Sequence, residues 1–173
     1  MADNTVQFIG LKEAQDSAVR LVGKMNKLKY DAVVHASQLI KNQAYSNVES
    51  FGKVDTGTLR DSIDFDVTVS GSDVSSIIGP HQGSGTDPGI VAEVIEFGRR
   101  PGAKPPPADA LLPWMARKGW PPEDKFALAK SIGREGLAGQ PFPYMRNALE
   151  ANRRKIEQIF ESIGEKIDVQ FRW

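Results

Sequence analysis

The feature that most constrains the fold is a long stretch of helical spacing between about Leu11 and Tyr45. Its apolar residues are separated by steps of three and four, and no proline interrupts them. They are Ala18, Leu21, Val22, Met25, Leu28, Ala32, Ala36, Leu39 and Ile40. Because such spacing places side chains on one stripe, it predicts a long amphipathic helix whose ordinary role is to cover a sheet. A break near Gly23 stays open.

Strand patterns follow a turn region at 50–58. A first strand is predicted where apolar residues alternate with polar ones, since period two indicates a half-exposed antiparallel strand. The apolar members are Ile63, Phe65, Val67 and Val69. A short second strand is predicted at 75–79 and a third at 90–97. The residues between them, 80–89, are rich in glycine and predict a loop.

The second half of the sequence predicts mainly helices. Four prolines make 101–107 extended, and helical segments follow at about 108–118 and 122–134, with Gly136 as a stop. A long last helix carries the stripe Met145, Ala148, Leu149, Ile156, Ile159, Phe160 and Ile163. Alternation in the last residues predicts a terminal strand through Ile167, Val169, Phe171 and Trp173.

These elements predict the α+β class. A small, mostly antiparallel sheet is packed by a long N-terminal helix and a long C-terminal helix, with a helical insertion. We expect residues 1–173 to form a single α+β domain. Within it, 101–140 is the proline-rich linker and helical insertion.

Catalytic and metal chemistry finds little support in the composition. Cysteine is absent, which excludes disulfides and thiolate metal sites and fits assembly in a reducing cytoplasm. The two histidines are His35, placed in mid-helix, and His81, in a glycine-rich loop. Neither suggests a catalytic arrangement, so we expect no cofactor, no metal and no catalytic residue. No apolar run reaches the roughly 20 residues that a membrane span needs.

One tripeptide gives an enzymatic alternative. Asp55-Thr56-Gly57 matches the aspartic-protease tripeptide, and such a protease would need a second chain to supply the second carboxylate. The tripeptide should then end an apolar strand, yet Ser50-Phe51-Gly52-Lys53 precedes it. The simpler interpretation is a turn or helix start in which Asp55 or Thr56 accepts a backbone N–H and Gly57 relieves the turn.

Charge is unevenly distributed although the net charge is zero. Residues 51–98 hold eight acidic and two basic residues, whereas 99–118 hold five basic and one acidic. The ordinary interpretation is solvated surface. The sharper one is that complementary faces meet between subunits of a ring.

Three segments in order resemble a known family. The first is Val54-Asp55-Thr56-Gly57-Thr58-Leu59-Arg60-Asp61-Ser62-Ile63, the second is Val91-Ala92-Glu93-Val94-Ile95-Glu96-Phe97-Gly98, and the third is Gln140-Pro141-Phe142-Pro143-Tyr144-Met145-Arg146-Asn147-Ala148-Leu149. Together with the long helix before them, they resemble the gene-product-ten-like tail-component family of long-tailed phages, also described as tail-completion or head–tail joining proteins. The chain departs from that pattern by placing Arg99-Arg100, not threonine, after Glu-Phe-Gly, and by a longer 101–140 segment.

The resemblance implies a structural virion protein of the neck, which forms an oligomeric ring, a hexamer, around the DNA channel. It implies partners among neighbouring neck and tail proteins, location in the virion after assembly in the host cytoplasm, and DNA that passes without sequence-specific binding. No membrane partner is expected. The motif residues are then expected to specify the fold: Asp55, Thr56, Gly57, Leu59, Ile63, Glu96, Phe97, Gly98, Pro141 and Phe142.

Further expectations concern individual side chains. Arg60 is expected to pair with a carboxylate such as Glu96, and Pro141 and Phe142 to start the last helix. Subunit contacts are expected at Arg99, Arg100 and Lys104. The channel side, kept acidic so that DNA slides, is expected to carry Asp64, Asp66 and Asp73, or the 80–89 loop.

Two other binding roles stay open. The chain could instead be the tail terminator, a ring at the end of the tail tube. It could also be a monomeric adaptor that binds another protein through the proline-rich 101–107 segment.

Overall fold

The computed structural model describes residues 10–51, 55–81, 88–136 and 141–171, with no side chains described for Pro88 and 168–171. These residues are mostly helical, with one small antiparallel sheet of two strands, β1 (Ile63–Ser70) and β2 (Asp73–Pro80). A long helix precedes the sheet and another closes the described chain. The α+β class is therefore confirmed.

The predicted long N-terminal helix is α1, Leu11–Ser50. It continues through Gly23 without a break and ends five residues later than predicted. Its buried apolar residues, Ala32, Ala36, Ala44 and Val48, are four or eight positions apart, with half-buried Ile40 midway between Ala36 and Ala44, as expected of a helix with one inward face. Toward its start the predicted stripe is only partly covered: Leu21, Met25 and Leu28 are half-buried, whereas Val22 retains 55% of its accessible surface.

A short helix, α2 (Thr58–Ser62), leads from the turn region into the sheet. A helix start here is one of the two interpretations of Asp55-Thr56-Gly57, although five residues are too few to show a helical period. β1 confirms the first predicted strand, and its first half alternates between inward Ile63 and Phe65 and exposed Asp64 and Asp66. β2 confirms the second strand and extends it at both ends.

The predicted third strand at 90–97 is wrong, since these residues form a helix, α3 (Pro88–Phe97). An almost unbroken apolar run fits a buried strand or a helix equally well. The helix places Val91, Ala92 and Ile95, at helical spacing, against the hydrophobic core. The 80–89 loop lies largely outside the described residues.

The predicted helical insertion contains a 3-10 helix (Ala108–Leu111), α4 (Leu112–Lys118), a second 3-10 helix (Pro122–Asp124) and α5 (Lys125–Glu135). Both predicted helical segments are thus confirmed. The two segments pack on one another, and Met115 and Ala129 are buried, while Gly133 lies against Pro105 and the Ala103 carbonyl.

The last helix is α6, Tyr144–Phe171. The predicted terminal strand is wrong as far as residue 171, and Trp173 lies outside the described residues. Ile167 follows the buried Ile163 by four positions, so it extends the helical stripe, and no proline interrupts the segment. Alternation of a few apolar residues was too weak to outweigh that continuity.

The described residues fall into two compact units. One takes in those of 1–38, 66–77 and 154–173, which are the first part of α1, the tip of the hairpin and the second part of α6. The other takes in those of 39–65 and 78–153. The second unit holds the hydrophobic core and all three motif segments. The single-domain organisation stays a prediction.

Candidate functional site

The motif segments meet in one hydrophobic core of the second unit. Its fully or nearly buried residues are Ala44, Val48, Leu59, Ile63, Ala92, Tyr144 and Ala148. Leu59 and Ile63 come from the first motif, Ala92 from the second, and Tyr144 and Ala148 from the third. The first motif ends at Ile63 and the third begins at Gln140, so only the tertiary fold brings them together.

The first motif shapes a turn. Gly57 has a φ of +80°, a conformation that side chains with a Cβ rarely adopt, and it precedes the first residue of α2. The Thr56 hydroxyl accepts a hydrogen bond from the Thr58 N–H at 3.3 Å and lies 2.7 Å from the Thr58 hydroxyl. The helix-start interpretation is confirmed for Thr56 and Gly57. Leu59 and Ile63 then point inward, as predicted.

Asp55 has a different role from the one predicted. Its carboxylate accepts hydrogen bonds from the guanidinium of Arg117 in α4, with Nε 3.1 and 3.0 Å from the two carboxylate oxygens and a further contact from Nη2. The hydrogen bonds from Arg117 lower the pKa of Asp55 below its ordinary 3.8. A carboxylate of a protease pair has to share a proton with a second carboxylate, whereas both oxygens of Asp55 accept hydrogen bonds from Arg117. The contact fastens the first motif to the helical insertion.

The second motif supplies the cap of α6. One carboxylate oxygen of Glu96 accepts the Met145 N–H at 2.9 Å, and the other accepts the Arg146 N–H at 3.1 Å. These groups belong to the first turn of α6, where backbone N–H groups have no partner within the helix. A negative charge there is also favoured by the helix dipole. Burial, and secondarily the nearby Glu96, raise the pKa of Tyr144 to about 12.

The predicted Arg60–Glu96 pair is wrong, because the Glu96 carboxylate accepts hydrogen bonds from two backbone N–H groups of α6. Arg60 instead pairs with its neighbour Asp61 at 2.7 Å and with Glu49 of α1 at 3.6 Å. Both partners are more than half exposed, so these are surface ion pairs and contribute little to stability.

Further contacts join the second and third motifs. The Phe142 N–H donates to the Ile95 carbonyl at 2.9 Å. A Cβ added to Gly98 would lie 3.0 Å from the Pro141 ring, so the chain just after α3 approaches that ring closely. The Phe142 ring stacks on Phe51 with centroids 4.1 Å apart. Helix α6 begins at Tyr144, two residues after Phe142, so Pro141 and Phe142 precede the helix that they were predicted to start.

Phe97 does not share this inward orientation. Its side chain is 65% exposed, although it lies between Glu96 and Gly98, which both contact the third motif. The structure therefore gives Phe97 no part in the core, and its role has to be sought on the surface.

The three basic residues predicted at subunit contacts differ in how exposed their side chains are. Arg99 is half-buried, and its Nη2 donates to the Lys104 carbonyl of the same chain, while its buried Nε has no partner among the described residues. Arg100 and Lys104 are exposed. Arg99 thus contacts its own chain, whereas Arg100 and Lys104 have exposed side chains.

The three carboxylates predicted to face the channel also differ. Asp64 forms an ion pair with Lys41 at 2.8 Å, which with a backbone N–H from Phe65 lowers the pKa of Asp64. Asp66 and Asp73 are exposed, near the tip of the hairpin. The direction in which a channel would lie is not given by a single chain, so their channel role stays a prediction.

The described part of the chain does not form a cluster of side chains that could hold a metal ion. No group of three or more metal-ligating side chains occurs there, and His35 and His81 are both exposed. Among the described residues, no helix has the length and apolar composition needed to cross a bilayer.

Three contributors to the site were missed from the sequence. Asn47 of α1 donates through its side-chain amide to the Tyr144 carbonyl at 2.9 Å; a polar residue beside the buried positions of a helix was the available signal. Phe51 and Arg117 carried no such signal, since their partners are distant in sequence.

A scan against protein-family models, a search of curated proteins and a search of solved structures each return no match to this chain.

Proposed function

We propose that this protein is a structural subunit of a tailed bacteriophage. In this proposal it acts in tail completion or head–tail joining, as one member of an oligomeric ring in the neck of the virion. DNA passes through the ring without sequence-specific binding. The partners are further copies of the chain, taken to be six in a closed ring, and the neighbouring neck and tail proteins.

The observation that supports the proposal is the convergence of the three motif segments. Glu96 of the second motif caps the helix that the third motif begins, and Leu59 and Ile63 of the first motif pack in the same core. Residues that specify architecture behave in this way. The family resemblance stands on these same residues, so its strongest motifs have a common structural purpose.

The surroundings of Asp55 support a structural role over the protease alternative. Both oxygens of its carboxylate accept hydrogen bonds from Arg117 of the same chain, and the ion pair keeps the pKa of Asp55 low. The motif is thereby accounted for as a link between the turn and the insertion. Its resemblance to a catalytic tripeptide then follows from turn chemistry, because Asp, Thr and Gly all favour turns.

Electron microscopy of the intact particle, with this chain labelled, tests the proposal. We expect the chain in a ring between head and tail, with its copies related by rotation about the tail axis. Absence of the chain from purified particles would overturn the proposal.

The same particles separate the runner-up, a tail terminator. Without a joining ring, complete heads and complete tails should accumulate unattached. Without a terminator, the tail tube has no stop, so tubes of irregular length should accumulate. Location of the label at the tube end, together with irregular tubes in particles that lack the chain, would favour the terminator.

A further inference from the structure

The two ends of the helical insertion lie against each other. The Gly102 N–H donates to the Arg134 carbonyl at 3.3 Å. A Cβ added to Gly136 would collide with the Arg99 carbonyl oxygen, so the chain leaves the insertion where it entered. We name residues 99–136 the inserted module. Segments whose ends meet in this way are the ones that a fold accepts as insertions.

The inserted module packs on itself. Each of its two 3-10 helices contacts both α4 and α5. Met115 of α4 and Ala129 of α5 are buried, and Gly133 of α5 lies against the Pro105 ring. The hydrophobic core that the motif segments form contains no described residue of the module. The module therefore has a small core of its own.

Small size limits the stability of this packing. Helices α4 and α5 have 7 and 11 residues, and helices of such length are marginal by themselves. A segment of fewer than about 40 residues buries too little apolar surface to be stable alone without a further constraint. The motif core, by contrast, is built on α1 and α6, which have 40 and 28 residues. We therefore expect the module to open at a lower free energy than the motif core.

One ion pair ties the module to the first motif. Within the described residues, the hydrogen bonds that leave the module all run from Arg117 to Asp55. The side chains of Arg117 and Asp55 retain 43% and 25% of their accessible surface. Because neither is fully buried, the pair can break without leaving an unpaired charge away from water.

We propose that residues 99–136 open as a unit of their own, without unfolding the motif core, and that the Asp55–Arg117 pair is a strap that holds this unit in one orientation. The inference goes beyond the proposed function and does not depend on it. Elements that rearrange on binding come from the less stable parts of a fold. The module is thus the part of the chain that can adjust to a neighbour while the core keeps its shape.

Hydrogen exchange of the full-length chain under native conditions, read by mass spectrometry, tests the separate opening. Gly133→Ala places a Cβ 2.6 Å from Cγ of Pro105. We expect the amides of α4 and α5 to exchange about tenfold faster or more in this variant, whereas those of α3 and α6 keep their rates. Glu96→Ala should do the reverse, because it removes the carboxylate that accepts the first N–H groups of α6.

Gly23→Ala is the matched control for the glycine variant. It also adds a Cβ within a helix, but nothing lies within 4 Å of that Cβ, so the exchange of α4 and α5 should not change. Acceleration of α3 and α6 together with α4 and α5, in Gly133→Ala or in Glu96→Ala, would show a single cooperative unit and overturn the inference.

A distance measurement tests the strap. The chain has no cysteine of its own, so nitroxide labels can be placed in the full-length chain at Ser46→Cys of α1 and Ala127→Cys of α5, both exposed positions. Pulsed electron paramagnetic resonance then gives the distribution of distances between them. We expect Arg117→Gln to broaden this distribution, because the module is no longer held in one orientation.

Lys118→Gln is the control for the strap, since it removes the neighbouring exposed cation of α4 and leaves the hydrogen bonds to Asp55 in place. It should keep the narrow distribution. An equal width in Arg117→Gln and Lys118→Gln would overturn the strap. Loss of amide protection throughout α4 and α5 in Arg117→Gln would also overturn it, because the ion pair would then hold the module folded rather than oriented.

Discussion

Removing the carboxylate of Glu96 should destabilise the protein more than removing that of Glu93, the other charged residue of α3. In the folded chain this group accepts two backbone N–H groups at the start of α6, from Met145 and Arg146. Glu96→Ala leaves both without a partner at a half-buried helix start. Glu96→Gln keeps the side-chain length and one acceptor oxygen but removes the charge.

The magnitude follows from the number and kind of bonds. Loss of a helix N-cap costs about 0.5–2 kcal/mol, and a hydrogen bond to a charged group contributes about 1.5–3 kcal/mol. For two such bonds that share one carboxylate, we expect Glu96→Ala to lower the free energy of unfolding by about 2–3 kcal/mol. Glu96→Gln should lower it by about 1 kcal/mol, since the interaction with the helix dipole is lost.

Urea denaturation followed by far-ultraviolet circular dichroism measures both effects. Glu93→Ala is the matched control: it removes an exposed carboxylate from the same helix, and a surface change of this kind is expected to stay within about 0.5 kcal/mol. Dilute protein keeps self-association out of the measurement. If Glu96→Ala and Glu93→Ala unfold at the same urea concentration, the cap does not hold the second and third motifs together.

Three further predictions concern single positions. Gly136→Ala should lower the free energy of unfolding by about 2–4 kcal/mol, because its Cβ would lie 2.2 Å from the Arg99 carbonyl oxygen at a positive φ. Gly119→Ala is the control in the same assay: φ is positive there too but nothing lies within 4 Å of the added Cβ, so the cost should be about 1 kcal/mol. The pKa of Tyr144 is raised to about 12, so the stability that its neutral hydroxyl contributes is present below pH 10 and is lost as the pH rises toward 12. Tyr144→Phe should not show this loss when unfolding is measured across this range. Parallel curves for the two proteins would contradict the prediction. Because the pKa of Asp55 is lowered, its ion pair with Arg117 stabilises the fold above pH 3.8 and is lost as the pH falls below that value. The difference in unfolding midpoint between the natural chain and Asp55→Asn should therefore vanish in acid. Neither protein should show peptidase activity that depends on this residue.

Several elements were determined by the sequence alone because their signals are local. The steps of three and four in α1 and α6, the alternation in β1, and the glycine that ends α5 are each signals carried by residues close together in the sequence. The inward positions of Leu59 and Ile63 could also be predicted. For these elements the tertiary structure adds only the exact ends.

Other elements were decided by packing between distant parts of the chain. The apolar run at 90–97 is compatible with a strand or a helix by itself. It becomes the helix α3 in the structure that places Ala92 in the core and brings Glu96 to the first turn of α6. The partner of Arg60 was predicted wrongly for the same reason, since a carboxylate cannot be assigned to a cation until the fold shows which backbone groups it already serves.

The candidate site shows the same division. The sequence identified the motif residues around Asp55, Glu96 and Phe142 but not the contacts that join them. Those contacts pair residues dozens of positions apart, such as Asp55 with Arg117, and no local period records them. Local spacing fixes which side of a helix is apolar, whereas tertiary packing decides how much of that side is covered. That is why the exposure of Phe97, on a helix whose other side is buried, could be recognised only in the folded chain.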